Sequence, residues 1–110
     1  MRDDRTDAIF SALGDATRRQ LIRVLSAHGP ATATGLAAQL PVTRQAVSKH
    51  LAALAEVGLV TATQRGREKL YQISPAPLTE AVTWMADLGA RWDERLAALR
   101  RHVLSSRRRS

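Results

Sequence analysis

The chain has 110 residues, 45% hydrophobic and 25% charged, the size and balance of one globular domain with a single core. There is no cysteine, which excludes disulfides, thiolate metal sites and thiol redox switches. The formal charge of +7 favours a polyanionic partner through counterion release; the alternative is a generic basic surface, since 15 of the 17 basic residues are arginine.

Residues 4–13 read as a first helix with Ile9, Phe10 and Leu13 as its buried stripe, ended by Gly14. Asp15 is placed to cap a second helix, Ala16 to about Ala27, whose apolar face is Leu21, Ile22, Val24 and Leu25. Arg18, Arg19 and Arg23 lie largely off that face and read as solvated, with one of them in reach of a phosphate. His28-Gly29-Pro30 stops the helix, with His28 as its C-terminal residue. A third helix opens at Thr32 or Ala33 and buries Leu36, Ala37 and Leu40; Pro41-Val42 makes a tight turn. Thr43 caps a fourth helix in which Val47, Leu51 and Leu54 form one inward stripe, and Gly58 ends it.

From Val60 the period changes. Val60–Gln64 and Lys69–Ile73 have the β-branched, alternating character of two strands, with Arg65-Gly66-Arg67-Glu68 as the turn. Pro75 and Pro77 follow, Pro77 suiting the first position of a helix. A final helix is expected from about Leu78 to Leu104, with a 3-4-4-3-4 apolar stripe of Met85, Leu88, Trp92, Leu96, Leu99 and Val103. Trp84 lies at the margin of that stripe, because eight residues turn a helix about 80° past two full turns. Residues 1–104 thus read as one domain, and 105–110 as a basic, disordered tail. Met1–Thr6 lacks the apolar core of a signal peptide, and no apolar run approaches the roughly 18 residues that span a bilayer. A cytoplasmic location is expected.

The chemistry lies between residues 31 and 73. A short helix, a tight turn and a second helix with small polar and basic residues on its first turns is the pattern of a major-groove reader. Arg44 has the donors for a bidentate contact to guanine and Gln45 for adenine. Thr43 and Ser48 suit phosphates or base edges, and Lys49 a phosphate. Arg65, Arg67 and Lys69 make the hairpin a cationic wing, suited to a minor groove or an adjacent backbone. The alternatives are a solvated helix face and an edge hairpin kept soluble by charge. Tyr71 reads as hairpin packing rather than base stacking.

Three stretches carry a resemblance: Ala12-Leu-Gly-Asp-Ala-Thr-Arg-Arg-Gln-Leu-Ile22; Val47-Ser-Lys-His-Leu-Ala-Ala-Leu54 with Val57-Gly-Leu-Val60; and Arg65-Gly-Arg67 with Tyr71-Gln-Ile73. In that order they resemble the ArsR family of winged-helix repressors, over roughly residues 5–103. The resemblance implies a mainly α winged helix-turn-helix with a small β-hairpin, in which four helices precede the hairpin and one follows it. It implies a homodimer joined through the terminal helices, here Ile9, Phe10, Trp84, Met85, Leu88, Trp92, Leu96 and Leu99. It also implies a pseudo-palindromic operator in double-stranded DNA, often in the protein's own promoter. His50 matches a position where the family often carries a packing histidine.

Many members of the family sense metals through cysteines or through carboxylates and histidines on the last helix. This chain has no cysteine, and its last helix offers Asp87, Asp93, Glu94 and a single His102, with Asp93 and Glu94 diverging. No metal or other cofactor is expected; the chain resembles instead a cysteine-free branch with two tryptophans on this helix. A 27-residue amphipathic helix carries more apolar stripe than one small core needs, which favours dimerisation over intramolecular packing. The residues give no sign of a small-molecule effector. A non-specific architectural DNA-binding protein and a winged helix used only for protein contact are the competing readings. No nucleophile, phosphate loop or paired-carboxylate set supports an enzyme.

Overall fold

The computed structural model describes residues 4–109. The elements are α1 (Asp4–Leu13), α2 (Ala16–His28), α3 (Ala33–Gln39), α4 (Arg44–Glu56), β1 (Val60–Arg65), β2 (Glu68–Ile73) and α5 (Ala76–Arg109). The expected order of helices and hairpin is the observed one.

Three helices begin where a side-chain oxygen satisfies N–H groups that the first turn leaves without partners. The Asp15 carboxylate accepts from the backbone of Thr17 and Arg18 at 2.8 and 3.1 Å. Thr32 accepts from Gly35 at 3.0 Å and Thr43 from Ala46 at 3.1 Å. The Arg18 N–H, helped by that of Thr17 and by the nearby His50 and Arg18 side chains, holds the Asp15 carboxyl below its ordinary pKa, against an opposing effect of desolvation. The end of α4 is equally specific. Gly58 takes φ 79°, its N–H bonds to Ala55 O at 3.0 Å, and the Leu59 N–H bonds to Leu54 O at 2.9 Å. This closing motif buries Leu54 and Leu59 together.

The core is the one the stripes anticipate. Leu21 and Leu25 of α2, Leu36 of α3, and Val47, Leu51 and Leu54 of α4 meet Leu59 and Val60 at the hairpin root. Around this centre α3 packs on α4, α2 packs on α4 and β2, and α4 packs on β1. The two strands pair antiparallel from Val60↔Ile73 to Arg65↔Glu68.

The terminal helices depart from expectation in three ways. Ile9 is fully buried inside the protomer, so it is not free to face a second copy; it and Ala81 are enclosed where α1 and α5 pack together. Phe10 is half-buried, its ring edge-on to Trp84 at 5.4 Å and 66°. The last helix begins at Ala76 rather than Leu78 and continues to Arg109, so most of the segment expected as a disordered tail is helical. Beyond Gly89 neither glycine nor proline interrupts it, and arginine is a good helix former. Pro77 sits second in this helix, still within the first turn, where its missing N–H costs nothing. Ser110, at the end of the expected tail, and Met1–Asp3 lie outside the described residues.

Apart from the Phe10 ring against Trp84, the apolar side of α5 lies open in the protomer. Trp84, Met85, Leu88, Trp92, Leu96, Leu99 and Val103 are between 43% and 58% exposed. The stripe is therefore not part of the protomer core. An ion pair, Arg5 Nε to Glu80 Oε2 at 2.7 Å, joins α1 to α5; both side chains are exposed, so it adds little to stability. Among the described residues, no helix is long and apolar enough to cross a membrane.

Leu51→Ala is expected to lower unfolding stability by about 2–5 kcal/mol, through lost burial and a residual cavity, measured by urea denaturation. Asp15→Ala is expected to lower stability at neutral pH by an amount that shrinks on acidification. A depressed carboxyl pKa contributes fully above the unfolded-state value, and that contribution is lost as pH falls through the folded value. Unfolding midpoints of the two proteins followed from pH 7 into the acid range test this.

Candidate nucleic-acid interface

The fourth helix separates its residues by face. Val47, Leu51 and Leu54 are fully buried, while Arg44, Gln45 and Lys49 are exposed and Ser48 is half-buried. The side chains of Arg44, Gln45 and Lys49 make no hydrogen bond or ion pair to any other described residue. Thr43 is exposed and spends its hydroxyl acceptor on the helix cap.

The wing is a tight hairpin. Arg65 pairs with Glu68, leaving Gly66-Arg67 as a two-residue loop. Gly66 takes φ 63° and Arg67 a negative φ, the arrangement in which a type II′ hairpin puts glycine first. The Gln64 side-chain amide donates to Gly66 O at 3.0 Å and braces the tip. Arg65, Arg67 and Lys69 are all exposed. The Lys69 ammonium lies 5.7 Å from the centre of the Tyr71 ring, a cation–π contact that holds it along the strand.

A contact that the sequence does not signal sets the wing against the helices. Ala31 forms an isolated antiparallel bridge with Tyr71. The Tyr71 N–H donates to Ala31 O at 2.8 Å and the Ala31 N–H to Tyr71 O at 3.0 Å. This makes the residue before Thr32 a short third strand beside β2, and it brings the start of α3 next to the wing. Between them and α4 lies a cleft of about 430 Å³ lined by Thr32, Ala33, Thr34, Arg44, Ser48, Arg67, Glu68, Lys69 and Tyr71. Arg44, Ser48, Arg67 and Lys69 were legible as candidates from sequence. Thr34 and Tyr71 line it as well, and the Ala31 bridge that holds the wing beside α3 has no local signature.

Gln45, Lys49 and Arg65 do not line this cleft. Gln45 and Lys49 belong to the exposed side of α4, and Arg65 ends β1 on the other side of the wing, beside Thr63, Gln64, Leu70 and Gln72. His50 is half-buried and accepts at Nδ1 from Arg18 Nε at 3.3 Å, so the histidine ties α4 to α2. Arg19 donates to Leu13 O at 2.7 Å and caps the end of α1. Among the described residues no group of three or more histidines and carboxylates is arranged to hold a metal.

A family profile described as "Helix-turn-helix domain" matches residues 13–62, which run from the end of α1 into β1. The HTH-type transcriptional regulator Rv2034 of Mycobacterium tuberculosis is 40% identical over 90 residues, covering 82% of this chain and 80% of its own. A solved ArsR-like transcriptional regulator from Rhodococcus sp. RHA1 superposes with a TM-score of 0.77 at 40% identity, covering 86% of this chain and 89% of that one. The chain belongs to the ArsR family of transcriptional regulators. These relatives are regulators and not enzymes. Another neighbour, from Mycobacterium bovis, is described as a homodimeric winged helix-turn-helix DNA-binding domain and a possible ArsR-family transcriptional regulator; it has a TM-score of 0.62 at 25% identity and covers 83% of this chain and 81% of that one. In this ArsR-family chain the helix-turn-helix is α3 and α4, and the wing is β1 and β2.

Gly66→Val places a β-branched side chain at positive φ in the wing tip. It is expected to cost about 1–2 kcal/mol of stability, read in urea, with the helical circular dichroism of the native protein unchanged.

Proposed function

We propose that the chain is a homodimeric, sequence-specific DNA-binding repressor of the cytoplasm that occludes a pseudo-palindromic operator. The observation that carries this reading is the open polar side of α4 standing beside a cationic wing, with no acidic partner among the described residues for Arg44, Lys49, Arg65, Arg67 or Lys69. In this reading α4 enters the major groove. Gln45 reads a base edge, Thr43, Ser48 and Lys49 meet the backbone or nearby edges, and Arg44 works with them at the start of the helix. Arg65, Arg67 and Lys69 carry the wing onto the adjacent strand or minor groove.

Dimerisation is supported by the uncovered stripe of α5 and by the homodimeric M. bovis neighbour. Phe10, Trp84, Met85, Leu88, Trp92, Leu96 and Leu99 are the contact residues proposed. The charges of α5 also suit a second copy running antiparallel. Residues 76–92 carry Glu80 and Asp87 against Arg91, whereas residues 93–109 carry Asp93 and Glu94 against six arginines, so the slightly acidic half of one helix would face the basic half of a reversed partner. Two α4 helices related by a two-fold axis then address half-sites one helical turn or more apart. Repression follows from steric exclusion of polymerase. No metal or organic cofactor is required by this scheme.

Footprinting the purified protein on the DNA upstream of its own gene, at physiological salt with excess random competitor, tests the reading. Two protected half-sites related by symmetry are expected. Protection that is uniform, or that disappears with competitor, supports the architectural alternative and refutes sequence-specific repression. Gln45→Ala is expected to lose preference for the protected sequence, whereas Arg67→Ala weakens binding to specific and scrambled duplexes alike. Equal losses on both duplexes for Gln45→Ala would remove its role as a reader.

A further inference from the structure

We propose that the cleft between α4 and the wing is a clamp for one phosphodiester of the DNA backbone, and that Arg44 is its central cation rather than a base reader. The proposal rests on the DNA-binding reading above and gives the residues of that face a division of labour.

If α4 occupies a major groove and the wing tip lies on the adjacent minor groove, the sugar–phosphate ridge between the two grooves must pass between α4 and the wing. The cleft of about 430 Å³ that the Ala31–Tyr71 bridge helps to close lies on that path, between α4 and the wing. Arg44, the first residue of α4, lines that cleft; Gln45, one residue on, does not. Neighbouring residues of one helix turn thus face different parts of the duplex. Gln45 is free for the groove floor, and Arg44 is committed to the ridge.

Arg44, Arg67 and Lys69 bring three cations to the cleft against one carboxylate, Glu68. None of the three cations has an ion-pair partner among the described residues. Ser48 adds a hydroxyl from the floor, and Thr34 another from the start of α3. Thr32 lines the cleft too; its oxygen accepts from Gly35 N–H and its O–H remains a donor. Cationic forks with a few hydroxyl donors match a tetrahedral anion, and arginine holds such an anion bidentately. Two backbone hydrogen bonds to Ala31 fix the strand at Tyr71, and the Tyr71 ring holds the Lys69 ammonium at 5.7 Å beside the cleft. The result is a site whose affinity is electrostatic and independent of sequence.

The test is fluorescence anisotropy on two labelled duplexes, over a series of potassium chloride concentrations. One duplex is selected from a random pool by the wild-type protein, and the other is its scrambled counterpart. Circular dichroism confirms that the variants keep the native fold. Arg44→Ala is expected to weaken binding to both duplexes by the same factor. It should also reduce the slope of log affinity against log salt by about 0.9, the value of one phosphate contact. Arg44→Lys is expected to keep the slope and recover part of the affinity. A loss confined to the selected duplex with an unchanged slope makes Arg44 a base reader and overturns the clamp, while DNA binding stands. No change on either duplex also overturns it. A wild-type protein without salt-dependent binding to either duplex defeats the DNA-binding reading itself.

Discussion

The two backbone hydrogen bonds between Ala31 and Tyr71 are the constraint on which the candidate interface depends. A two-stranded hairpin has little stability of its own in water, and this one is mostly exposed, with Val60 its only fully enclosed side chain. The bridge attaches its second strand to the segment that leads into α3. The Ser74 N–H to Leu59 O bond, at 2.9 Å, closes the root of the same hairpin. Rotation of the wing against the helices is thereby restricted, and the separation between Arg67 or Lys69 and the start of α4 is set before any ligand is met. Preorganisation of this kind reduces the ordering cost of binding.

The reading helix owes its position to the opposite strategy. Val47, Leu51 and Leu54 are wholly buried, and the cap at Thr43 and the closing motif at Gly58 fix both ends. Arg18 reaches across from α2 to His50 and adds a polar tie beside the apolar ones. A helix so held on one side can leave the other side chemically open without losing its place. Polar residues that would contribute little to a core are then available for recognition.

These features were not equally legible in the sequence. The starts of α2, α3 and α4 were, because Asp15, Thr32 and Thr43 act on groups two or three residues away. The inward stripes were legible for the same reason, since helical periodicity is local. The Ala31–Tyr71 bridge and the Arg18–His50 bond join positions far apart in the chain through residues of ordinary composition, and neither leaves a pattern. Ile9 reads both as part of the buried stripe of α1 and as a dimer contact, because an apolar residue on a terminal helix suits an internal contact as well as an external one; the packing of α1 on α5 decides for the first. The far end of α5 was misjudged because its Ser-Arg segment lacks a stop signal and was read from its charge instead of its helix propensity.

The uncovered side of α5 has a consequence beyond architecture. The protomer is 76 Å long, and much of that length is a helix whose apolar residues meet solvent until something covers them. If a second copy is that cover, pairing stabilises the fold by mass action, and stability becomes a function of how much protein is present. A cell that makes little of the chain then holds it as separate protomers, open to proteases and short-lived. A cell that makes more holds it as pairs that both persist and bind. Abundance would set lifetime and occupancy together, so the response to a change in synthesis would be steeper than proportional even without a ligand.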